Sequence, residues 1–197
     1  MATRLQLDNA FSPRRSNLED LQRLGCPKVH YLPFGYDETL FASPVQSSYA
    51  YDVLFVGADP DRAAFMRVFM RHRSPVLLAG AYWDRYPAFR AYALAIKPPE
   101  IVRALTAAAK VNLCLVRRAN RDGHVMRSFE IAAIGGCILA QDADEHRDIS
   151  GPEDEAVIYF RDAKEAAQRA CALPCDSSER KRLSVCLQRR IAGGAHT

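Results

Sequence analysis

The chain has 197 residues and is 49% hydrophobic, which is enough for one domain with a sizeable core, or for one domain with an appendage. Its formal net charge of +4 is small, and basic residues are interspersed with acidic ones, which argues against a nucleic-acid or membrane-surface partner. The sequence has no apolar run near the roughly 18 residues of a membrane span, and its first residues have no signal-peptide character.

The first 50 residues predict one helix and one short strand, followed by a polar connection. Residues 9–13 (Asn-Ala-Phe-Ser-Pro) predict a break in regular structure. A Ser-x-x-Glu capping pattern predicts a helix over 16–24, which Gly25 ends. Residues 29–32 predict a strand, and residues 38–50, with one proline and three serines, predict a surface loop.

From Tyr51 onward, strand patterns alternate with helix patterns. Apolar runs, one of them interrupted by Asn112, predict five buried strands, at 53–56, 76–79, 111–116, 137–140 and 156–160. The predicted helices lie at about 60–72, 89–94, 98–109, 125–134, 144–148, 163–171 and 177–192. This alternation predicts an α/β fold, a parallel sheet with helices on both faces, which binds ligands beyond the carboxyl ends of its strands.

The stretch from Arg117 to Ala140 predicts a strand–loop–helix–strand unit with a cationic loop. Four arginines lie at or before the start of its helix: Arg117, Arg118, Arg121 and Arg127. The amides and dipole of a helix start favour an anion there. Glu130 follows Arg127 by one turn on the same side of the helix. A carboxylate inside a phosphate-binding region suits a sugar hydroxyl, so the stretch indicates a nucleotide or nucleotide-sugar site.

Several other residues have two interpretations. The glycine turn at 57–62 is neither the three-glycine dinucleotide fingerprint nor a Walker loop, so an ordinary tight turn is its plain interpretation, and Arg62 is either a solvated charge or a ligand. His124 fits a general base, a phosphate donor or a plain first-turn residue. Trp83, beside Tyr82, fits a stacking platform as well as core packing.

Two acidic pairs and six cysteines bear on metal binding. Asp59-x-Asp61 and Asp142-x-Asp144 resemble pairs that hold a divalent ion, but aspartates are also common turn residues. Cys171 and Cys175 lie four residues apart without a second pair or a nearby histidine to complete a site. We therefore expect no bound metal, reduced thiols and a cytoplasmic location.

Three segments resemble one known family. Residues 31–37, 51–57 and 120–130, with Gly135-Gly136, resemble the spore-maturation-type glycosyltransferases, which belong to the GT-B-fold sugar transferases. The resemblance implies a Rossmann-like, carboxyl-terminal donor-binding domain at 51–197. Residues 1–50 would then be the tail of an amino-terminal domain plus the interdomain connection. It implies sugar transfer from a nucleoside-diphosphate sugar to an unknown acceptor, without metal or other cofactor.

The resemblance also implies roles for individual residues. Related retaining enzymes carry two glutamates separated by seven residues, and Asp122 and Glu130 have this spacing. Glu130 would hold the ribose hydroxyls, and the shorter Asp122 would meet the donor sugar. The candidate catalytic residues are Asp122, His124 and Arg127. The candidate nucleotide-sugar-binding residues are Gly57, Arg62, Arg127, Ser128, Phe129 and Glu130.

Two rival functions remain at this point. A catalytically silent nucleotide-binding or regulatory module would keep the fold without the acceptor half, and a flavodoxin-like signalling domain would share the alternating pattern. Only about fifty residues precede the predicted donor domain, so we expect an amino-terminal domain or a partner chain to supply the acceptor site. On this view the 197 residues bind donor but transfer little sugar.

Overall fold

The computed structural model describes residues 8–41, 48–58, 62–72, 76–95 and 97–194. The strands are β1 (Asn9–Ser12), β2 (Lys28–Tyr31), β3 (Tyr51–Val56), β4 (Val76–Ala79), β5 (Ala93–Leu94), β6 (Ala109–Cys114), β7 (Ile138–Gln141) and β8 (Ile158–Phe160). The α-helices are α1 (Leu18–Arg23), α2 (Glu38–Phe41), α3 (Ala63–His72), α4 (Pro99–Ala108), α5 (Met126–Ile134), α6 (Asp144–Ser150), α7 (Ala163–Ala172) and α8 (Ser177–Gly193).

Six strands form one parallel sheet in the order β5-β4-β3-β6-β7-β8. All five predicted strands lie in it, so the α/β prediction is confirmed. The order has the 3-2-1-4-5-6 arrangement of a Rossmann-like sheet, whereas a flavodoxin-like sheet has the order 2-1-3-4-5. The flavodoxin-like alternative is therefore wrong.

Helices cover both faces of the sheet because the strands bury both of their side-chain rows. Val53 and Phe55 of β3 point into a core shared with α3 and α7, while Leu54 points to the opposite side, near α4. A second core lies between the sheet and the helices α5 and α8, which pack against each other. Each fully buried Leu or Phe in these cores contributes roughly 1.5–3 kcal/mol of transfer free energy.

Three local predictions are wrong where tertiary contacts override local pattern. Residues 9–13 were expected to break regular structure, but β1 pairs in parallel with β2, which supplies its hydrogen-bonding partners. Of the loop predicted at 38–50, residues 38–41 form α2, whose first amides bind the Asp37 carboxylate (Thr39 N–H to Oδ1, 2.9 Å), and residues 42–47 lie outside the described residues. The helix predicted at 89–94 is a 3₁₀ helix at Pro87–Tyr92 followed by β5, which pairs with the edge of β4.

The amino-terminal helix also begins later than the capping pattern predicts. A 3₁₀ turn occupies Arg15–Asn17, and α1 begins at Leu18. The hydroxyl of Ser16 donates to the carbonyl of Arg121 (3.0 Å), so this residue contacts the loop after β6. None of the helices in the described part of the chain is long and apolar enough to cross a membrane.

Candidate functional site

The candidate site lies at the carboxyl edge of the sheet, where β3 and β6 are neighbours. The chain after β3 enters α3 on one face, and the chain after β6 enters α5 on the other face. Such a reversal opens a crevice outside the strand ends, where ligands bind in open α/β sheets. The Gly57 turn and the loop Arg117–Val125 border this crevice.

Close packing explains the glycine in the Gly57 turn. A Cβ at Gly57 would lie 2.8 Å from Cζ of Phe55. Gly80 has a φ of +149°, and a Cβ there would lie 2.3 Å from the carbonyl oxygen of Gly57. The indole of Trp83 donates to the same oxygen (2.7 Å). The loops after β3 and β4 are thus held together by a contact that only glycines allow.

Core packing, not ligand stacking, is the role of Trp83 in this structure. Its side chain is buried, and its ring lies edge-on to Phe55 (5.9 Å between centroids) and Phe89 (5.6 Å). Tyr82 is exposed, with a φ of 72°, and the Arg85 guanidinium lies 4.2 Å above its ring. Of this aromatic pair, only Tyr82 presents its ring to the outside.

Arg62 joins the two loops of the crevice. Its guanidinium donates to the carbonyls of Ala58 (3.1 Å) and Leu115 (3.1 Å) and lies over the Phe55 ring (5.4 Å). These contacts fix a positive charge between the strand ends of β3 and β6. The predicted interpretation as a solvated surface charge is wrong, because the guanidinium is held by backbone carbonyls.

The start of α5 carries the pair of charges expected from the sequence. Arg127 and Glu130 form an ion pair one turn apart, which confirms their predicted proximity. Glu130 is only 6% exposed, and burial raises the pKa of its carboxyl, while Arg127 opposes that shift. Arg127 keeps about a quarter of its side chain exposed. The residue before the helix, Val125, has an apolar side chain that cannot cap the first amides.

His124 is buried and has one defined protonation state. Its Nδ1 lies 2.7 Å from Oε2 of Glu145, and its Nε2 lies 3.2 Å from the backbone nitrogen of Phe34. An amide N–H can only donate, so Nε2 accepts and the proton sits on Nδ1. Burial lowers the pKa of His124, which favours this neutral form. The imidazole therefore uses both nitrogens inside the protein.

Asp122 is likewise engaged by the amino-terminal segment. Its carboxylate forms an ion pair with Arg14, and only 7% of its side chain is exposed. The contact joins residues 108 positions apart, and sequence analysis missed Arg14 as it missed Glu145. No local pattern signals either residue, because each meets its partner only after the segment 8–41 docks on the loop after β6.

The side chains of Ser128 and Phe129, on α5, are buried inside the protein. The hydroxyl of Ser128 lies 3.2 Å from Nε2 of His146, whose Nδ1 lies 2.8 Å from the carbonyl of Gln141. The carbonyl requires a proton on Nδ1, so Ser128 donates to Nε2. Phe129 is fully buried in the core beside α8. Neither side chain faces the crevice here, and their predicted contact with a nucleotide sugar stays a prediction.

Of the two acidic pairs, only Asp142 and Asp144 lie in the described residues, and they belong to no cluster that could hold a metal ion. Asp142 receives two hydrogen bonds from Arg147, at 2.6 and 2.9 Å, which lower the pKa of its carboxyl. The pair Asp59 and Asp61 lies outside the described residues. Within the described ranges, no group of three or more histidine, cysteine, aspartate or glutamate side chains is placed to hold a metal ion. All six cysteines are free thiols.

Among the clefts lined by described residues, two border the loops after β3, β4 and β6. One, of about 480 Å³, is lined by the chain segments after β4 and around β5, including Tyr82 and Trp83. The other, of about 280 Å³, lies between the starts of α3 and α7. Three arginines line it: Arg62, Arg118 and Arg161. Its charge suits an anionic group.

Comparison with known families assigns the chain to a family. A family model described as "Glycosyl transferase-like" matches residues 62–197, which is more than half of the chain. The chain belongs to this family. No curated protein sequence matches the chain. For this glycosyl transferase-like protein the broad family expectation is confirmed, while the narrower spore-maturation type stays a prediction.

Solved structures share the fold at low sequence identity. Sucrose-phosphate synthase from Thermosynechococcus elongatus matches with a TM-score of 0.72 and 16% identity, over 95% of this chain and 54% of that one. Anabaena HepE, solved in complex with UDP-glucose, matches at 0.70 and 9%, over 94% and 59%. The carboxyl-terminal domain of the Francisella tularensis group 1 glycosyl transferase LpcC matches at 0.59 and 11%, over 81% and 97%.

These matches confirm the fold class as that of GT-B glycosyltransferase domains. The chain spans a little over half the length of the first two solved structures, 54% and 59%. At these identities the likeness establishes the fold, and the residues of the site must carry any statement about ligands.

Proposed function

We propose that this chain binds a nucleoside-diphosphate sugar at the carboxyl edge of its sheet and serves as the donor-binding part of a glycosyltransferase. The observation that carries the proposal is the ion pair between the half-buried Arg127 and the buried Glu130 at the start of α5. A carboxylate that is almost fully buried is costly unless it has a specific partner. Placed beside a fixed arginine at a strand-end crevice, it suits the ribose of a nucleotide whose phosphates meet the arginines.

The surrounding residues complete such a site. Arg62 holds a positive charge between the two loops, and Arg127 points a second one from the uncapped helix start. Together with the free helix dipole they would neutralise a diphosphate. Gly57 keeps the backbone of the first loop bare of side chain. Because these charges would also stabilise a departing diphosphate, the same groups serve binding and bond cleavage.

Family and fold support the choice of ligand. The family is described as glycosyl transferase-like, and the similar HepE structure was solved with UDP-glucose. We infer that the base enters the cleft bordered by Tyr82. The positive charge of Arg62 and Arg127 takes the place that a divalent ion has in metal-dependent transferases, so donor binding by this site needs no metal and no other cofactor.

The domain organisation expected from the sequence is part of the proposal. Residues 51–197 would form the donor domain; in support, a carboxyl-terminal domain solved by itself, that of LpcC, matches 81% of this chain. The parallel pair β1–β2 would belong to an amino-terminal sheet that carries the acceptor site. A two-stranded sheet is marginal by itself, and Phe11 and Leu32 on it are 64% and 57% exposed. The acceptor remains unknown.

One observation favours the alternative of a catalytically silent nucleotide-binding module. Two of the three candidate catalytic residues are engaged inside the protein: Asp122 by Arg14, and His124 by Glu145 and Phe34. In this arrangement neither group is available to a sugar hydroxyl. A silent module would bind nucleotide with the donor site intact and would leave the donor unhydrolysed.

Calorimetric titration with UDP, GDP and ADP tests the proposal. We expect measurable affinity for at least one of them and weaker binding of the matching monophosphate, because the second phosphate carries the contact with the arginines. Equal affinity for mono- and diphosphates would refute the site. A second assay incubates the chain with the matching UDP-, GDP- or ADP-sugar and measures the free sugar released. Hydrolysis of the donor indicates a transferase, whereas a silent module leaves the donor intact.

A further inference from the structure

One carboxylate, that of Glu145 on α6, collects hydrogen bonds from three separate parts of the chain. Its Oε2 accepts from Nδ1–H of His124 (2.7 Å) and from the Tyr31 hydroxyl (3.2 Å). Its Oε1 accepts from the backbone N–H of Arg15 (3.2 Å). Glu145 is 8% exposed, so these donors replace the water that the carboxylate would otherwise bind.

The imidazole of His124 is held equally firmly. Besides its two hydrogen bonds, its ring lies against three aromatic rings, with centroid distances of 5.3 Å to Phe34, 5.7 Å to Phe129 and 6.3 Å to Tyr31. Two of these rings come from the amino-terminal segment and one from α5. Any displacement of the imidazole would therefore disturb the packing of both the amino-terminal segment and α5.

We propose that Glu145 is a positioning residue: through His124 it fixes the loop Arg117–Val125 and the start of α5 against the segment 8–41. His124 lies two residues before the first residue of α5 and three before Arg127, so the loop cannot shift without moving that guanidinium. The consequence for ligand affinity rests on the proposed nucleotide function. The consequence for loop order does not.

Glycine at position 123 is required by this arrangement. A Cβ at Gly123 would lie 2.6 Å from Cδ, 2.7 Å from Cγ and 2.8 Å from Oε1 of Glu145. Gly123→Ala therefore displaces the Glu145 carboxylate by steric contact while leaving its chemical identity unchanged. In a chain that already carries Glu145→Ala, the atoms that would clash are gone, and the same substitution should have no further effect.

A glutamine at position 145 has the right shape and the wrong chemistry. If its carbonyl oxygen replaces Oε1, its amide faces the His124 N–H, and if the oxygen replaces Oε2, the amide faces the Arg15 N–H. Two donors face each other in either orientation. If His124 moves its proton to Nε2, the conflict passes to the Phe34 N–H. Glu145→Gln thus breaks the network while keeping its volume.

The first experiment measures backbone hydrogen exchange in the full chain. In Glu145→Gln and Gly123→Ala we expect faster exchange in two separate regions at once, residues 12–36 and residues 117–127. Asp148→Asn is the matched control, because Asp148 joins the same helix to Arg15 through an exposed ion pair and should change neither region. Unchanged exchange in Glu145→Gln would overturn the proposal.

The second experiment titrates the same variants with the nucleoside diphosphate that binds the wild-type chain. We expect affinity to fall by roughly 5- to 150-fold at most in Glu145→Gln, the range that the cost of one unsatisfied buried group sets, and to fall in Gly123→Ala only when Glu145 is present. Unchanged affinity with raised exchange would show that Glu145 serves the fold alone. If the wild-type chain binds none of the diphosphates, the proposed function fails, and the exchange data alone decide the positioning role.

The dependence of nucleotide affinity on pH, measured below neutral pH, separates an electrostatic role of Glu145 from a packing role. Five charged or titratable side chains of the described residues lie near His124: Glu145, Asp122, Arg14, His146 and Tyr31. Protonation of His124 puts a hydrogen on Nε2, opposite the Phe34 N–H, so affinity should fall on acidification. Glu145 raises the pKa of His124, against the larger effect of burial. In Glu145→Gln this fall should therefore move to lower pH, and an unmoved profile would count against the proposal.

Discussion

Replacing Glu130 with glutamine tests the residue on which the proposed donor site depends most. The substitution keeps the shape of the side chain and removes its charge. In the free protein, Arg127 loses its ion-pair partner but keeps about a quarter of its side chain in water. The raised pKa of Glu130 shows that burial already disfavours its charged form, so the fold should tolerate the neutral amide.

The expected loss comes from the ribose contact. A carboxylate accepts hydrogen bonds from two adjacent hydroxyls, and hydrogen bonds to charged groups are worth about 1.5–3 kcal/mol each. An amide keeps one acceptor and loses the charge. We therefore expect the Kd of the nucleoside diphosphate to rise by roughly 10- to 150-fold. Inorganic diphosphate, which has no ribose, should bind the variant at least as well as the wild type, because Arg127 is released.

Calorimetry with both ligands measures this difference directly. Glu179→Gln is the matched control, since Glu179 forms the same kind of ion pair, one turn from Arg182, on the surface of α8. The control should bind both ligands like the wild type. If Glu130→Gln binds the nucleotide unchanged while its thermal unfolding stays cooperative, Glu130 does not hold the ribose. If it loses diphosphate and nucleotide alike, the carboxylate acts by placing Arg127.

Three further predictions concern the packing of the site. Burial lowers the pKa of His146 to about 4. On acidification the unfolded chain therefore takes up a proton at this histidine before the folded chain does. About 3 kcal/mol of the free energy of unfolding should be lost as pH falls from about 6.5 to about 4. Urea unfolding across that range checks it, and His146→Gln should flatten the loss. Gly80→Ala should destabilise by more than about 2 kcal/mol, because it adds strain at φ +149° and a clash with the Gly57 carbonyl. Trp83→Phe should lower the free energy of unfolding by about 1 kcal/mol or more, because the indole hydrogen bond is lost. If either variant unfolds in urea at the same midpoint as the wild type, the prediction for that variant is wrong.

Local sequence pattern by itself determined five of the six strands of the main sheet and the helix α5. Apolar runs four to six residues long mark β3, β4 and β6–β8, because a strand covered on both faces has no polar side. The three-residue spacing of Arg127 and Glu130 determined their pairing, since helix geometry brings such residues together without outside help. Gly135 ends α5 in the left-handed conformation for the same local reason.

Only the tertiary structure decided what Asp122, His124 and Trp83 do. The partners of His124 lie 21 residues ahead and 90 residues behind it, and Asp122 meets Arg14 across 108 residues. Trp83 contacts Gly57, 26 residues away. Periodicity describes a side chain's face on its own helix or strand, and it contains no information about which distant segment covers that face. The hydrogen bonds of Glu145 exist because the segment 8–41 folds back onto the loop before α5, and that return of the chain is a property of the whole fold.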